Sequence, residues 1–312
     1  MTNSTQNKRL TPGFTIVIPA YNEEGGIGNV LRELTEEYGD HAEIIVVDDG
    51  STDKTASIVS GYPSVRLLIH KANYGYGAAL KTGIYMAKNE IICLFDADSQ
   101  HFARDIKRIV MELADADVVI GSRGLGRLTN LLRAPGKLAL QLVSNFLVGK
   151  RIPDLNSGLR AVRRHHIIQY FHLMPDGFSA STNMTLIFML KRYSVKFIPI
   201  SIQKRIGKSQ VKIFKDGYNV FLSILRIVVL HNPLKFFIPV SLLFLCSGLS
   251  YGIYKVLYGT QGLSVGAFLL LFIGVMSVFF GLLADQISTM RGERSEDIDA
   301  ICHSRLKDKP ER

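Results

Sequence analysis

Two long apolar segments near the C-terminus constrain this chain more than any other feature of its sequence. Phe236 to Tyr254 and Leu263 to Ala284 contain no charged side chain. Each approaches the ~20 residues that a helix needs to cross a bilayer. Both are longer and more apolar than ordinary core helices, and the short link between them predicts a hairpin. The sequence therefore predicts two transmembrane helices, 236–258 and 263–284, within a membrane segment that covers residues 234–287.

Basic residues around the hairpin predict its orientation. The net charge is +10, and only Lys255 lies near the link. The other flanking cations are Lys204, Arg205, Lys208, Lys212, Lys215, Arg226 and Lys235 before the hairpin, with Arg291 and Arg294 after it. Because cytoplasmic flanks are the basic ones, we expect the N-terminal domain and the tail 288–312 in the cytoplasm, at a plasma or endoplasmic-reticulum-type membrane. Charge gathered beside membrane spans also argues against nucleic-acid binding.

Residues 211–233 mix apolar and basic side chains, and we interpret them as an amphipathic juxtamembrane helix lying in the interface. Met1 to Thr11 is polar and lacks the apolar core of a secretory signal, so none is expected. Cys93, Cys246 and Cys302 share no motif spacing. Neither a disulfide framework nor a zinc site is therefore expected.

Residues 1–210 alternate apolar runs with helical patterns. The predicted strands are Phe14 to Pro19, Glu43 to Val47, Val65 to Ile69, Ile91 to Phe95, Asp117 to Ile120 and Val195 to Ile200. Such alternation predicts an α/β domain with a doubly wound, mostly parallel sheet. Pro19 is expected to stop the first strand, because proline donates no hydrogen bond to a central ladder.

Two carboxylates follow the fourth strand, at Asp96 and Asp98. If the chain stays extended, Asp96, Asp98 and Gln100 point to one side, at the carboxyl end of the strand where open α/β sheets bind ligands. Their hard oxygens suit Mg²⁺ or Mn²⁺ better than zinc. The alternative is a surface turn whose acidic residues only cap the next helix.

Two further turns follow neighbouring strands. Asp48 and Asp49 precede Ser51 to Asp53, which can cap the next helix and leave both carboxylates free to hydrogen-bond a ribose or a base. The alternative is that these two acids belong to the capping turn themselves. Gly75-x-Gly77 follows the third strand rather than the first and has Leu80 where a dinucleotide-binding motif needs glycine. It indicates a turn whose backbone passes close to another group.

Six motifs occur in an order that is typical of one enzyme family. They are Ile18-Pro19-Ala20-Tyr21-Asn22-Glu23, Val47-Asp48-Asp49-Gly50-Ser51-Thr52-Asp53, Asp96-Ala97-Asp98-Ser99-Gln100-His101, Gly121-Ser122-Arg123, Asn156-Ser157-Gly158-Leu159-Arg160 and Arg205-Ile206-Gly207-Lys208-Ser209. By this ordered set the chain resembles the family-2 glycosyltransferases of GT-A fold, and within them the polyprenyl-phosphate sugar synthases typified by dolichol-phosphate mannose synthase. A C-terminal hairpin is also a variant of that family. The chain departs from the family pattern at Ser99, at Phe102-Ala103 and at Gln210.

The resemblance implies transfer of a hexose from a nucleotide-diphosphate sugar, of UDP-glucose or GDP-mannose type, to undecaprenyl or dolichyl phosphate, with inversion. It implies that a nucleoside is held by Pro19, Tyr21, Glu23 and Asp48, with Asp49 nearby. It implies that Mg²⁺ or Mn²⁺ and the diphosphate are held by Asp96, Asp98 and Gln100. Acceptor-phosphate candidates are Arg123, Arg133 or Lys137, Arg205 and Ser209, and the candidate catalytic residues are Asp96, Asp98, Arg123 and Arg205.

Other functions remain open at this point. A processive polysaccharide synthase of the same fold is disfavoured, because its acceptor motif needs a tryptophan and the chain has none. Another acceptor, an N-acetylhexosamine donor and an inert membrane protein that binds a nucleotide sugar are the alternatives. A homo-oligomer is also open.

Overall fold

A computed structural model describes residues 13–123, 134–177, 179–203, 233–258, 264–290 and 305–306. The chain divides into two compact units. The first comprises residues 1–220 together with 295–312, and the second comprises residues 221–294. The predicted juxtamembrane helix 211–233 lies almost entirely outside the described residues.

The first unit is built on a seven-stranded sheet. Its strands are β1 (Phe14–Ala20), β2 (Ala42–Asp48), β3 (Val65–Ile69), β4 (Ile91–Leu94), β5 (Val118–Ser122), β6 (Arg160–Arg163) and β7 (Val195–Pro199). The spatial order is β3-β2-β1-β4-β6-β5-β7. All neighbours are parallel except the two pairs that include β6. The predicted mostly parallel α/β sheet is confirmed.

Helices connect and cover these strands. They are α1 (Ile27–Tyr38), α2 (Thr55–Ser60), α3 (Tyr76–Met86), α4 (Arg104–Met111), α5 (Ala134–Val148), α6 (Arg164–Ile168) and α7 (Ala180–Leu190). In α1 the apolar residues Ile27, Val30, Leu31 and Leu34 are buried on one face, which is the helical spacing seen in the sequence. Strand β1 is buried along its whole length, as expected for a strand covered on both faces.

Two details differ from the sequence-based expectations. Strand β1 continues through Pro19 to Ala20, because β4 already ends at Leu94. The Val17 carbonyl points towards β4 and accepts a hydrogen bond from Phe95 N–H. The backbone nitrogen of Pro19, two residues later, points the same way but lies beyond the end of β4, so its missing N–H leaves no acceptor unpaired there. Strand β6 was not predicted: it has four residues and an arginine at each end, so it lacks an apolar run.

Helix α3 packs unusually close to the sheet at Gly83. A Cβ atom built there would overlap Val17 Cγ1 and would lie 3.1 Å from Val47 Cγ2. Glycine therefore lets the helix rest directly on the central strands β1 and β2. Gly28 in α1 is different, since a Cβ there would meet Ile58 Cγ2 at 3.6 Å, an ordinary contact distance.

The second unit contains two long apolar helices, α8 (Pro233–Tyr258) and α9 (Val265–Met290). Both are long and apolar enough to cross a membrane. Their large side chains are mostly exposed, among them Leu243 at 65% and Phe280 at 59%, whereas a core helix of a water-soluble protein would be buried. The helices approach each other at Gly248 and Gly274, and Ser241 Oγ donates to the Gly274 carbonyl at 2.8 Å. Small residues of this kind allow close helix packing in lipid.

Gly83→Ala is expected to destabilise the sheet, and Gly28→Ala serves as its matched control. Overpacking at Gly83 should lower the free energy of unfolding by about 1–3 kcal/mol. Gly28→Ala should be neutral or slightly stabilising, because alanine is the better helix former. Cys93 is fully buried in β4, so its reaction with a maleimide during heating reports unfolding, with Cys246 and Cys302 replaced by serine. Equal unfolding midpoints for the two variants would contradict the close packing at Gly83.

Candidate active site

The carboxyl ends of β1, β2 and β4 bring three predicted motifs to one edge of the sheet. Ala20 is in register with Asp48, and Asp49 N–H donates to the Ala20 carbonyl at 2.8 Å. The loop after β1 is joined to the loop after β2 by side chains. Asn22 Oδ1 accepts from Thr52 N–H at 2.8 Å, and Glu23 N–H donates to Thr55 Oγ1 at 2.9 Å. These hydrogen bonds fix the loop that carries the motif residues Pro19, Tyr21 and Glu23.

Two side chains from outside the strand, Tyr76 and His101, lie against the Asp96 carboxylate at this edge. The Tyr76 hydroxyl donates to Asp96 Oδ1 at 2.9 Å, and His101 Nε2 lies 3.7 Å from Oδ2. Asp96 keeps 27% of its side chain exposed, whereas His101 keeps 1%. Gly158 comes so close that a Cβ atom on it would overlap the Asp96 carboxylate. The carboxylate is therefore fixed on one side and open on the other.

The electrostatic surroundings keep Asp96 ionised. Burial alone would raise the pKa of Asp96, but His101, the Tyr76 hydroxyl and the Arg123 guanidinium outweigh it and hold that pKa below its ordinary value. Burial, reinforced by the Asp96 charge, raises the pKa of Tyr76 well above its ordinary value, so the phenol remains the proton donor. An ionised carboxylate with a fixed donor is suited to bind a cation on its open side.

Asp98 lies in a turn, which corrects the expectation of an extended chain through Gln100. Strand β4 ends at Leu94, and Ser99 adopts a left-handed conformation with φ of 57°. Asp98 Oδ1 accepts a hydrogen bond from Gln100 N–H at 3.1 Å, and Ser99 Oγ donates to the Gly26 carbonyl at 3.1 Å. The turn is thus anchored to the start of α1. The placement of Gln100 beside the two carboxylates stays a prediction.

Asp48 and Asp49 are buried and engaged within the protein, so the expectation that both stay free is wrong. Asp48 Oδ1 accepts hydrogen bonds from the N–H and the hydroxyl of Ser51. Asp49 Oδ1 accepts from Tyr74 N–H at 3.0 Å and lies 2.7 Å from His70 Nδ1, while Oδ2 accepts from Gly75 N–H at 2.7 Å. Asp49 therefore organises the loop before α3. The contact of these two residues with a nucleoside stays a prediction.

Arg123 is held by an acidic partner to which no sequence motif pointed. Its Nε–H and Nη2–H groups donate to the two carboxylate oxygens of Asp154 at 2.7 and 2.9 Å. Burial acts to raise the pKa of Asp154, but the Arg123 hydrogen bonds outweigh it and lower that pKa. Asp96 and Asp98 are close enough to stabilise the Arg123 charge as well. The guanidinium is therefore oriented at the rim of the carboxylate pair.

Other acceptor-phosphate candidates are not placed by the structure. Arg133, Arg205 and Ser209 lie outside the described residues, and of Lys137 only the backbone course in α5 is described. Their assignment stays a prediction.

Besides His101 and Asp154, sequence reasoning assigned no role to three further residues of the site. Tyr76 donates to Asp96, and its only signal was its position between Gly75 and Gly77. Gly158 and Arg160 belong to one of the six motifs, but no role was predicted for them. Arg160 is fully buried and donates to the carbonyls of Ser157 and Ser181 and to Thr185 Oγ1. It thus fixes the loop that carries Gly158, directly before β6, against α7.

Comparison with known proteins agrees with this architecture. The profile of the family described as Glycosyl transferase family 2 matches residues 15–171, and that of the GtrB C-terminal hairpin matches residues 232–290. An uncharacterized protein of Methanocaldococcus jannaschii is 34% identical over 208 residues, which cover 64% of this chain and 84% of that protein.

Two relatives with names are more distant. An undecaprenyl-phosphate 4-deoxy-4-formamido-L-arabinose transferase of Photorhabdus laumondii is 27% identical over 88% of both chains. A dolichyl-phosphate hexose transferase of Haloferax volcanii is 27% identical over 69% of this chain and 93% of that protein.

Among solved structures, glucosyl-3-phosphoglycerate synthase from Mycobacterium tuberculosis in complex with UDP superimposes with a TM-score of 0.57 at 19% identity. The superposition covers 69% of this chain and 80% of that one, which supports the GT-A-like fold. The C-terminal helices match the GtrB C-terminal hairpin and are long and apolar enough to cross a membrane, which indicates a membrane-anchored protein. The ordered motifs, the sheet and the matched family profile together place the chain in glycosyl transferase family 2.

Proposed function

We propose that this protein transfers a hexose from a nucleotide-diphosphate sugar, of UDP-glucose or GDP-mannose type, to a polyprenyl phosphate. The observation that carries the proposal is the Asp96 carboxylate at the sheet edge, which is fixed by Tyr76, 27% exposed and ionised, with Asp98 and Arg123 nearby. The acceptor class is supported by relatives named for undecaprenyl and dolichyl phosphate, one of which aligns over 88% of both chains and so includes the hairpin.

The residues of the edge fit a hard divalent cation. Asp96 and Asp98 supply carboxylate oxygens, and Gln100 is the proposed third ligand. Among the described residues no group of three or more His, Cys, Asp or Glu forms a cation site. Mg²⁺ is commonly held by one or two carboxylates together with substrate phosphates and water. A bound cation would neutralise the charge that develops on the leaving diphosphate and would orient it.

The protein's own contribution is mainly positioning. A phosphate monoester has a second pKa near 6, so the acceptor is largely anionic at neutral pH and needs no strong base to attack the anomeric carbon. Two anions must nevertheless meet, which requires fixed positive charge. Arg123, oriented by Asp154, supplies one such charge at the carboxylate pair. Arg133, Lys137, Arg205 and Ser209 are proposed to bind the acceptor phosphate, and the reaction is proposed to invert the sugar.

The basic flanks of the hairpin support a cytoplasmic catalytic unit and tail. Such sidedness would give the enzyme access to nucleotide sugars, which are too polar to cross a bilayer unaided. The lipid phosphate would be reached at the same membrane surface.

Transfer is tested directly with membranes that contain the protein. We expect one of radiolabelled UDP-glucose, GDP-mannose or UDP-N-acetylglucosamine, supplied with polyprenyl phosphate, to yield labelled lipid that extracts into organic solvent. Mn²⁺ is the first ion to use, since a synthase of the same fold was solved with Mn²⁺ and UDP-glucose. Chelation should abolish the product. Labelled lipid from none of the donors would contradict the proposed function.

Asp98→Ala should lower kcat about a hundredfold or more, because one anionic ligand of the diphosphate-bound cation is lost. Asp115→Ala is the control, since Asp115 is an exposed aspartate after α4. Both variants should insert into membranes, and Asp98→Ala should unfold only slightly below the wild-type midpoint, because it loses the hydrogen bond from Gln100 N–H. Full Mn²⁺-dependent activity in Asp98→Ala would show that the cation site lies elsewhere.

Gly158→Ala should lower kcat by about a hundredfold, because a misplacement of about 1 Å in a catalytic group has effects of that size. The added methyl group would overlap Asp96 and push its carboxylate out of position. Gly28→Ala provides the same substitution at a site with an ordinary contact and should keep the wild-type rate. A wild-type kcat in Gly158→Ala would mean that the position of Asp96 does not limit transfer.

A further inference from the structure

The segment that follows the hairpin returns to the first unit at residues 305–306. Leu306 forms an antiparallel bridge with His70, and Lys71 N–H donates to the Arg305 carbonyl at 3.0 Å. These partners directly follow β3, which is an edge strand of the sheet. The tail thus continues the sheet by one short pairing, at the end of the strand that leads to the loop before α3.

The side chain of Arg305 reaches further into that loop. Its Nη2–H group donates to Asp176 Oδ2 at 2.8 Å, and its guanidinium carbon lies 5.4 Å from the centre of the Tyr74 ring. The Arg305 side chain is 17% exposed and that of Asp176 is 39% exposed, so the ion pair is partly buried. Lys81 Nζ lies 2.9 Å from Asp176 Oδ1. Burial acts to raise the pKa of Asp176, but Lys81 and Arg305 outweigh it and lower that pKa.

Asp176 in turn holds the beginning of α3. Its backbone carbonyl accepts hydrogen bonds from Gly77 N–H at 2.7 Å and Ala78 N–H at 3.1 Å. These are two of the N–H groups that a helix N-terminus leaves without an intrahelical partner. A Cβ atom at Gly75 or Gly77 would overlap the carbonyl of Asp176 or Pro175, so the two segments are in intimate contact.

Tyr76 lies between those two glycines and is the first residue of α3. Its hydroxyl donates to Asp96 Oδ1. A continuous series of contacts therefore runs from Arg305 through Asp176 and the start of α3 to Tyr76 and Asp96. Asp49 holds the same loop from the other side, through Tyr74 N–H and Gly75 N–H.

We propose that Arg305, which follows the membrane hairpin in sequence, is a positioning residue for the active site. It fixes Asp176 against the start of α3 and thereby fixes the Tyr76 hydroxyl on Asp96. The catalytic consequence rests on the proposed function, whereas the structural link does not. The alternative is that the tail only covers the edge of β3, as edge strands commonly require. Loss of the tail would then speed amide hydrogen exchange in β3 and leave exchange at the start of α3 unchanged.

The structural link is tested by hydrogen exchange on the full-length protein in detergent, without substrate. A chain that ends at Ser304 and the Arg305→Ala variant should exchange faster at Gly77 and Ala78 than the wild type. A chain that ends at Leu306 is the matched control and should exchange at the wild-type rate. Arg305→Lys should restore most of the protection, because its ammonium can still pair with Asp176. Equal exchange at α3 in all of these proteins would overturn the proposal.

The catalytic consequence is tested by steady-state transfer in the same set of proteins. Arg305→Ala should lower kcat/KM by about tenfold to a hundredfold at a temperature where it is as fully folded as the wild type, and Arg305→Lys should recover most of the loss. Faster exchange at α3 with unchanged kcat/KM would overturn the positioning role. Absence of transfer by the wild type with every donor would refute the proposed function, and the exchange comparison would still decide whether Arg305 fixes α3.

Discussion

The arrangement of the active site depends on one close contact, that between the Gly158 backbone and the Asp96 carboxylate. A carboxylate pressed against backbone would ordinarily turn away into solvent. Here the Tyr76 hydroxyl donates a hydrogen bond to it and the His101 imidazole lies 3.7 Å away, and both favour its ionised form. The contact requires β6 to lie beside β4 in the antiparallel direction, because only then does the loop before β6 reach the carboxyl end of β4. Arg160 fixes that loop from within the core.

Much of the fold could be predicted because its strands are continuous apolar runs. Strands β1, β2 and β4 are buried on both faces, and such strands show their burial in composition alone. Strand β6 could not be found in this way. Its Arg160 is fully buried, and its guanidinium is satisfied by backbone carbonyls. Arginine is usually found at the surface, so its presence in the sequence does not indicate a core position. The expectation that Pro19 ends strand β1 was wrong because it ignored the neighbouring strand. Since β4 ends at Leu94, no partner is left for the N–H that proline lacks.

The site was predicted less completely than the fold. Asp96, Asp98 and Arg123 were located by motif and do lie near one another. The motif could not reveal that Asp48 Oδ1 accepts hydrogen bonds from Ser51, or that both Asp49 oxygens contact His70 and the loop before α3. An acidic pair after a strand looks the same whether it binds a ligand or braces a loop, and the distinction depends on partners distant in sequence. The role of Tyr76 could not be predicted, because a tyrosine between two glycines gives no indication of its hydrogen-bond partner. That partner, Asp96, lies twenty residues later in the chain.

The return of residues 305–306 to the sheet changes how the hairpin should be regarded. The first unit contains chain from both before and after the hairpin, so the membrane helices are an insertion into the catalytic unit rather than an appendage at its end. A chain shortened before Pro233 to obtain a water-soluble enzyme would lose Arg305 and Leu306 along with the spans. Replacing the hairpin by a flexible linker that rejoins the two parts would keep them. Loss of activity in a simple truncation would then report the missing tail as much as the missing membrane.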